Sequence, residues 1–170
     1  MHRLILRFGK IASVAITLTQ VSCLYGFAGG GLPPHIRTVA ILPFDNQTGE
    51  PTLTVEVSEA VREAMEGRLG LRPAAEEQAD AVVRGTVTSY QSDQQLSFAQ
   101  NQSGGVTVTR RLVQITVSVE IFDRRQEVML WQRNGLRVEG EYDPPNELAG
   151  REEALERLVA DIVDGAQSQW

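Results

Sequence analysis

The sequence holds a single cysteine and two histidines, and these shortages narrow its chemistry at once. One cysteine, Cys23, cannot close an internal disulfide, and it leaves no Cys/His set at zinc spacing. The histidines are His2 and His35, so a His-dependent nucleophilic triad has only His35 to draw on, in a Gly- and Pro-rich stretch. Lysine is as scarce: Lys10 is its one example, and every later cation is an arginine. Codon usage in a GC-rich genome gives that bias, and arginine forks also suit phosphates and carboxylates. Basic charge is in deficit. The net charge is −6, and beyond Ser22 there remain 13 bases against 22 acids. That balance excludes the basic footprint that nonspecific nucleic-acid binding requires. Paired acids such as Glu76-Glu77 and Glu152-Glu153 are sequence neighbours, which point to different sides of a helix, so they read as solvated faces. No active site, metal set or cofactor motif emerges, and the expectation is a non-enzymatic binding protein.

Long apolar runs are also missing. Ile11–Leu18 is far shorter than the ~20 residues that span a bilayer, but it follows Arg3, Arg7 and Lys10 and leads to Ser22-Cys23. This is the layout of a secretory signal over 1–22. Cys23 at its end is similar to the lipobox of bacterial lipoproteins, with Gln20 where leucine is usual. The resemblance implies lipidation of Cys23, and Leu24 after it implies outer-membrane sorting. Acyl chains at ~0.8 kcal/mol per buried CH₂ would hold such a chain on a membrane. A tether over 23–35, with Gly29-Gly30-Gly31 and Pro33-Pro34, then precedes one domain over 36–170.

Within that domain, Arg37–Phe44 reads as a short buried strand. Leu53, Val57, Ala60, Val61, Ala64 and Met65 make the stripe of an amphipathic helix, with Gly70 as its stop. Ala81–Tyr90 reads as a second strand. Leu112–Asp123 is the clearest: Val113, Ile115, Val117, Val119 and Ile121 face one way and polar residues the other. Arg124-Arg125-Gln126 turns into a fourth strand, in which Trp131 breaks the alternation as at a bulge. Leu155, Leu158, Val159, Ile162, Val163 and Ala166 stripe a last helix. The order β-α-β-β-β-α predicts an α+β fold, two helices packed on one face of a four-stranded, mainly antiparallel sheet. The polar stretch 91–105 reads as a long loop, functional or unstructured. Arg110 and Arg111 stand at its base as candidates to meet an anionic ligand or a partner wall.

Tyr25-Gly26-Phe27, Gly31-Leu32-Pro33-Pro34-His35-Ile36-Arg37-Thr38-Val39-Ala40-Ile41, Phe44-Asp45-Asn46, Ala79–Tyr90, Leu130-Trp131 and Gly140-Glu141-Tyr142-Asp143 follow one another in an order that resembles LptE-type lipopolysaccharide-assembly lipoproteins. The resemblance implies a lipid-anchored protein on the periplasmic face of the outer membrane. It also implies that the protein docks inside an LptD-type β-barrel translocon and contacts lipopolysaccharide. Val39–Asn46 is also similar to openings of CsgG-like and TolB-N-like periplasmic domains, which implies a secretion or envelope scaffold instead. The stretch 91–105 is too polar to cross lipid as an alternating hairpin, which weighs against a pore.

Overall fold

A computed structural model describes residues 31–100 and 105–168. The expected signal, Cys23 and most of the expected tether lie outside the described residues. Six strands and two longer helices follow in order. They are β1 (Thr38–Ile41), β2 (Asp45–Asn46), α1 (Leu53–Gly67), β3 (Arg72–Pro73), β4 (Ala81–Gln100), β5 (Val106–Asp123), β6 (Val128–Tyr142) and α2 (Glu147–Ser168). A 3₁₀ turn at Glu76–Gln78 precedes β4.

The strands form one sheet in the order β3-β1-β4-β5-β6, with β2 also beside β4. The expected four-stranded, mainly antiparallel sheet is corrected to a mixed one of six. β1, β2 and β3 all join in parallel, and only β4-β5-β6 is an antiparallel meander. β2 and β3 are two residues each, too short to write a periodic pattern.

Both helices lie on one face, as the apolar stripes require. Leu53, Val57, Val61 and Met65 of α1, and Ala154, Leu158, Ile162 and Ala166 of α2, are buried against Val83, Val87 and Val113 to Ile121 of the sheet. Each large aliphatic side chain so buried contributes ~1.5–3 kcal/mol. Among the described residues the other face carries a small cluster, Ala40, Ala79 and Val82, with Leu112 also buried, and is otherwise mostly polar.

Local chemistry fixes the connections. Asn46 accepts from Thr48 N–H at 2.9 Å and donates to the Glu50 carbonyl at 2.7 Å, closing the turn before α1. Gly70, at φ 66°, lets the chain reverse after α1. Asp123 accepts from Arg125 and Gln126 N–H groups at 2.8 and 3.0 Å, and so builds the β5-β6 turn. The bulge expected near Trp131 is present as a register shift: Ile121 pairs Trp131, Phe122 pairs Met129, and Leu130 is the extra residue.

α2 sits close to β6 because glycines meet there. A Cβ on Gly140 would overlap the Gly150 carbonyl, and one on Gly165 would overlap the Trp131 indole. On β4, a Cβ on Gly85 would overlap the Phe44 ring, which packs over that position.

Candidate functional site

The expected loop over 91–105 is corrected over its first ten residues, which are strand. Residues 91–100 continue β4, and they pair with β5 from Gln91↔Gln114 to Gln100↔Val106. β6 stops pairing at Arg111↔Tyr142, so beyond Arg111 the two long strands pair only with each other. They form a two-stranded arm that extends past the helices. Its surface is mostly Gln, Ser and Thr, with Leu96 and Phe98 exposed; Phe98 lies across from Val108. Four register shifts interrupt β4-β5 pairing, at Val87/Ser89, Gln91/Gln94, Gln95/Ser97 and Ser97/Phe98. Such bulges twist a ribbon and re-aim its side chains.

Arg110 and Arg111 stand at the base of this arm, as the sequence placed them. The structure does not bring them together, because successive strand residues point to opposite faces. Arg110 is half exposed and pairs with Glu141 at 3.1 Å and Asp143 at 3.9 Å. Arg111 lies in register with Gln95 and Tyr142, and its Nε is enclosed with no acceptor among the described residues.

Two polar clusters that sequence reading missed hold the frame. At the far end of β5, His35 Nε2 lies 2.6 Å from the fully buried Asp123 carboxylate. Beside it, Asp80 accepts from the Arg37 and Thr38 N–H groups at 2.9 and 3.0 Å and from the Thr38 hydroxyl at 2.9 Å. Arg125 Nε reaches its other oxygen at 2.7 Å. Burial alone would raise both carboxyls. The N–H of Arg37, with Thr38 and Arg125, lowers Asp80, and the N–H of Gln126, with His35 and Arg125, lowers Asp123. The His35–Asp123 pair has the form of a catalytic dyad, yet no hydroxyl or thiol contact to it is seen among the described residues. Its chemistry is that of a stitch between the entering chain and the sheet.

The second cluster joins both helices to the sheet. Arg151, 12% exposed, contacts Glu147 at 3.1 Å and Glu56 at 3.2 Å, and lies 5.2 Å over the Tyr90 ring. The Tyr90 hydroxyl donates to Glu147 at 2.5 Å. Burial and that hydrogen bond push the Tyr90 phenol up to about 12, while the Tyr90 and Arg151 contacts lower Glu147. A signal was available: Glu147 and Arg151 stand at i and i+4 at the start of a helix.

No group of His, Cys, Asp and Glu suited to a metal occurs among the described residues. The open sheet face has a polar hollow of about 230 Å³ lined by Asp45, Arg84, Thr86, Ser118, Glu120 and Gln132, and Arg84 is paired to Glu120 across it.

Residues 36–169 match the family model described as LptE: Lipopolysaccharide-assembly. The chain belongs to the LptE family. Among curated protein sequences none matches. Among solved structures, the PelC dodecamer from Paraburkholderia phytofirmans is similar at 17% identity and a TM-score of 0.51, covering 82% of this chain and 95% of that one. Protein XCC0632 from Xanthomonas campestris is similar at 14% identity and a TM-score of 0.54, covering 78% and 87%. Likenesses at such identity show a shared fold. The bounds of the LptE match enclose both helices and both arm strands.

Proposed function

We propose that this LptE-family protein is a non-enzymatic lipoprotein that is anchored through Cys23 on the periplasmic face of the outer membrane. It docks its β4-β5 arm into an LptD-type barrel, where it assists lipopolysaccharide assembly. The observation that carries this reading is the arm itself. It is a polar hairpin without helix cover, bearing a few exposed apolar side chains, and it suits an enclosing, partly wet partner better than lipid. The family match supports the lipopolysaccharide role and does not favour the CsgG-like or TolB-N-like scaffold.

The poles of the domain fit the proposal. His35 is stitched to Asp123, which closes β5 at the end away from the arm. The 17 residue steps from Asp123 back to Val106 cover roughly 55 Å at ~3.3 Å each. A tether over 23–35 would therefore enter at one pole while the arm reaches from the other. In this proposal Arg110 exchanges its Glu141 and Asp143 partners for phosphate, and Arg111 gives its unfilled Nε–H to an acceptor on the ligand or barrel wall.

The test is a detergent pull-down of the tagged chain from outer membranes, with stoichiometry by mass spectrometry. One large β-barrel at about one to one is expected, with loss of that barrel when residues 94–110 are replaced by a two-residue turn. Undiminished barrel capture by the shortened chain would remove the arm from the proposal. Unchanged lipopolysaccharide binding in Arg110→Ala/Arg111→Ala would remove the arginines.

A further inference from the structure

β6 ends the sheet, so one side of it has no strand neighbour among the described residues. A strand edge of 15 residues with unpaired N–H and C=O groups is a template for another chain. Toward its C-terminal end this edge is closed by side chains. Arg157 donates to the Glu139 carbonyl at 2.8 Å, and the Glu141 N–H donates to the Glu153 carboxylate at 2.8 Å. Arg157 and Glu153, one turn apart on α2, are themselves paired at 2.5 Å. The Glu139 and Glu141 backbone groups point outward, and the two side chains satisfy them where an added strand would.

We infer that the outward edge of β6 is a strand-addition surface, that the Glu153–Arg157 clip keeps it shut, and that its occupant when the clip opens is a second copy of this chain. The strand is complementary to itself. In an antiparallel pairing centred on Val138, Arg137 of each copy stands across from Glu139 of the other, so two opposite-charge cross-strand pairs form. Both residues stand on the sheet face that the helices leave open, since Arg137 is in register with Thr116 and Glu139 with Gln114. The clip residues are 52% and 39% exposed, so they can be removed without emptying the core.

The experiment follows the mass of the full chain in detergent by sedimentation across a hundredfold range of concentration. Wild type is expected to stay monomeric, and Glu153→Ala/Arg157→Ala to dimerise with at least tenfold tighter self-association. Adding Glu139→Pro to that double variant deletes an outward N–H on an edge strand, where proline is tolerated. It is expected to restore the monomer, whereas association through general unfolding would persist or worsen. A double variant that melts like wild type and stays monomeric overturns the inference. So does a dimer that survives the proline, or a wild type that dimerises through β6 with its clip intact. Glu153→Gln, which keeps an acceptor for the Glu141 N–H, is expected to remain monomeric, and dimerisation in that variant would overturn the role given to the backbone contact.

Discussion

One added methyl group at Gly140 tests how α2 is seated. In Gly140→Ala the new Cβ would overlap the Gly150 carbonyl oxygen and lie 2.7 Å from the Ala154 nitrogen, distances that real Cβ atoms do not tolerate. All these atoms belong to backbone, so no rotamer change relieves the overlap, and the helix must back away from β6. Overpacking costs about 1–3 kcal/mol even where side chains can give, which puts this site at the upper end, near 3 kcal/mol. Loss of unfolded-state freedom returns about 0.4–1 kcal/mol, leaving a net destabilisation of roughly 2–3 kcal/mol. Gly67→Ala is the matched control. It closes α1, has nothing within 4 Å of a built Cβ and is not among the positive-φ glycines, so it should gain about 0.4–1 kcal/mol. Urea unfolding reads both. With m of ~1–3 kcal/mol/M, Gly140→Ala should lower the midpoint by about 1 M or more, and Gly67→Ala should raise it by a few tenths. A Gly140→Ala protein as stable as wild type would refute the close seating of α2 on β6.

Three further outcomes follow from the polar clusters. Arg151→Met leaves Glu147 and Glu56 without their shared cation in a half-buried setting, so a loss of about 1–3 kcal/mol is expected by thermal or urea unfolding, discounted for the exposed carboxylates. Tyr90, raised to about 12, should give an upshifted step in a 295 nm absorbance titration that Tyr90→Phe removes, and because its folded value lies above the ordinary 10, the stability it lends is present below pH 10 and fades as pH rises toward 12; Tyr90→Phe should flatten that alkaline slope. Asp80 and Asp123 are lowered below the ordinary 3.8, so their contribution is present above about pH 4 and is lost as pH falls further. Asp123→Asn should weaken the acid dependence in urea midpoints taken between pH 2 and 5, and an unchanged dependence would show that the carboxylate is not what acid attacks.

The helices and the central strand were legible because one face of each is dry. Val113 to Ile121 alternates as a half-buried strand must, and Leu53 to Met65 and Leu155 to Ala166 repeat at helical spacing. β2 and β3 were not legible, since two residues carry no period and their pairing is set by where α1 returns the chain. The Gly- and Pro-rich setting assigns His35 to a tether, yet it is held by Asp123, 88 residues away, and no local pattern announces a contact at that separation. Asp123 itself carried a faint signal: an acid that ends a strand just before a turn commonly accepts the turn's N–H groups.

The arm escaped detection for a physical reason that also bears on its use. From Gln91 to Gln100 both faces are wet, so no one-sided burial imposes a period of two, and the composition reads as loop. Its free edges would be a hazard if they were regular, but the register shifts break the even row of N–H and C=O groups that a pairing strand needs. A partner that lengthens the sheet wants a straight edge, whereas one that encloses the arm needs only the right side chains on the right faces. Phe98→Ser, at the exposed ring across from Val108, separates these cases. The substitution removes an apolar side chain from one face of the arm while backbone hydrogen-bonding capacity is unchanged. An enclosing barrel that reads side chains should then be recovered in lower yield, by severalfold, from outer membranes. Undiminished recovery would mean that the partner holds the backbone of the arm and is indifferent to the Phe98 ring.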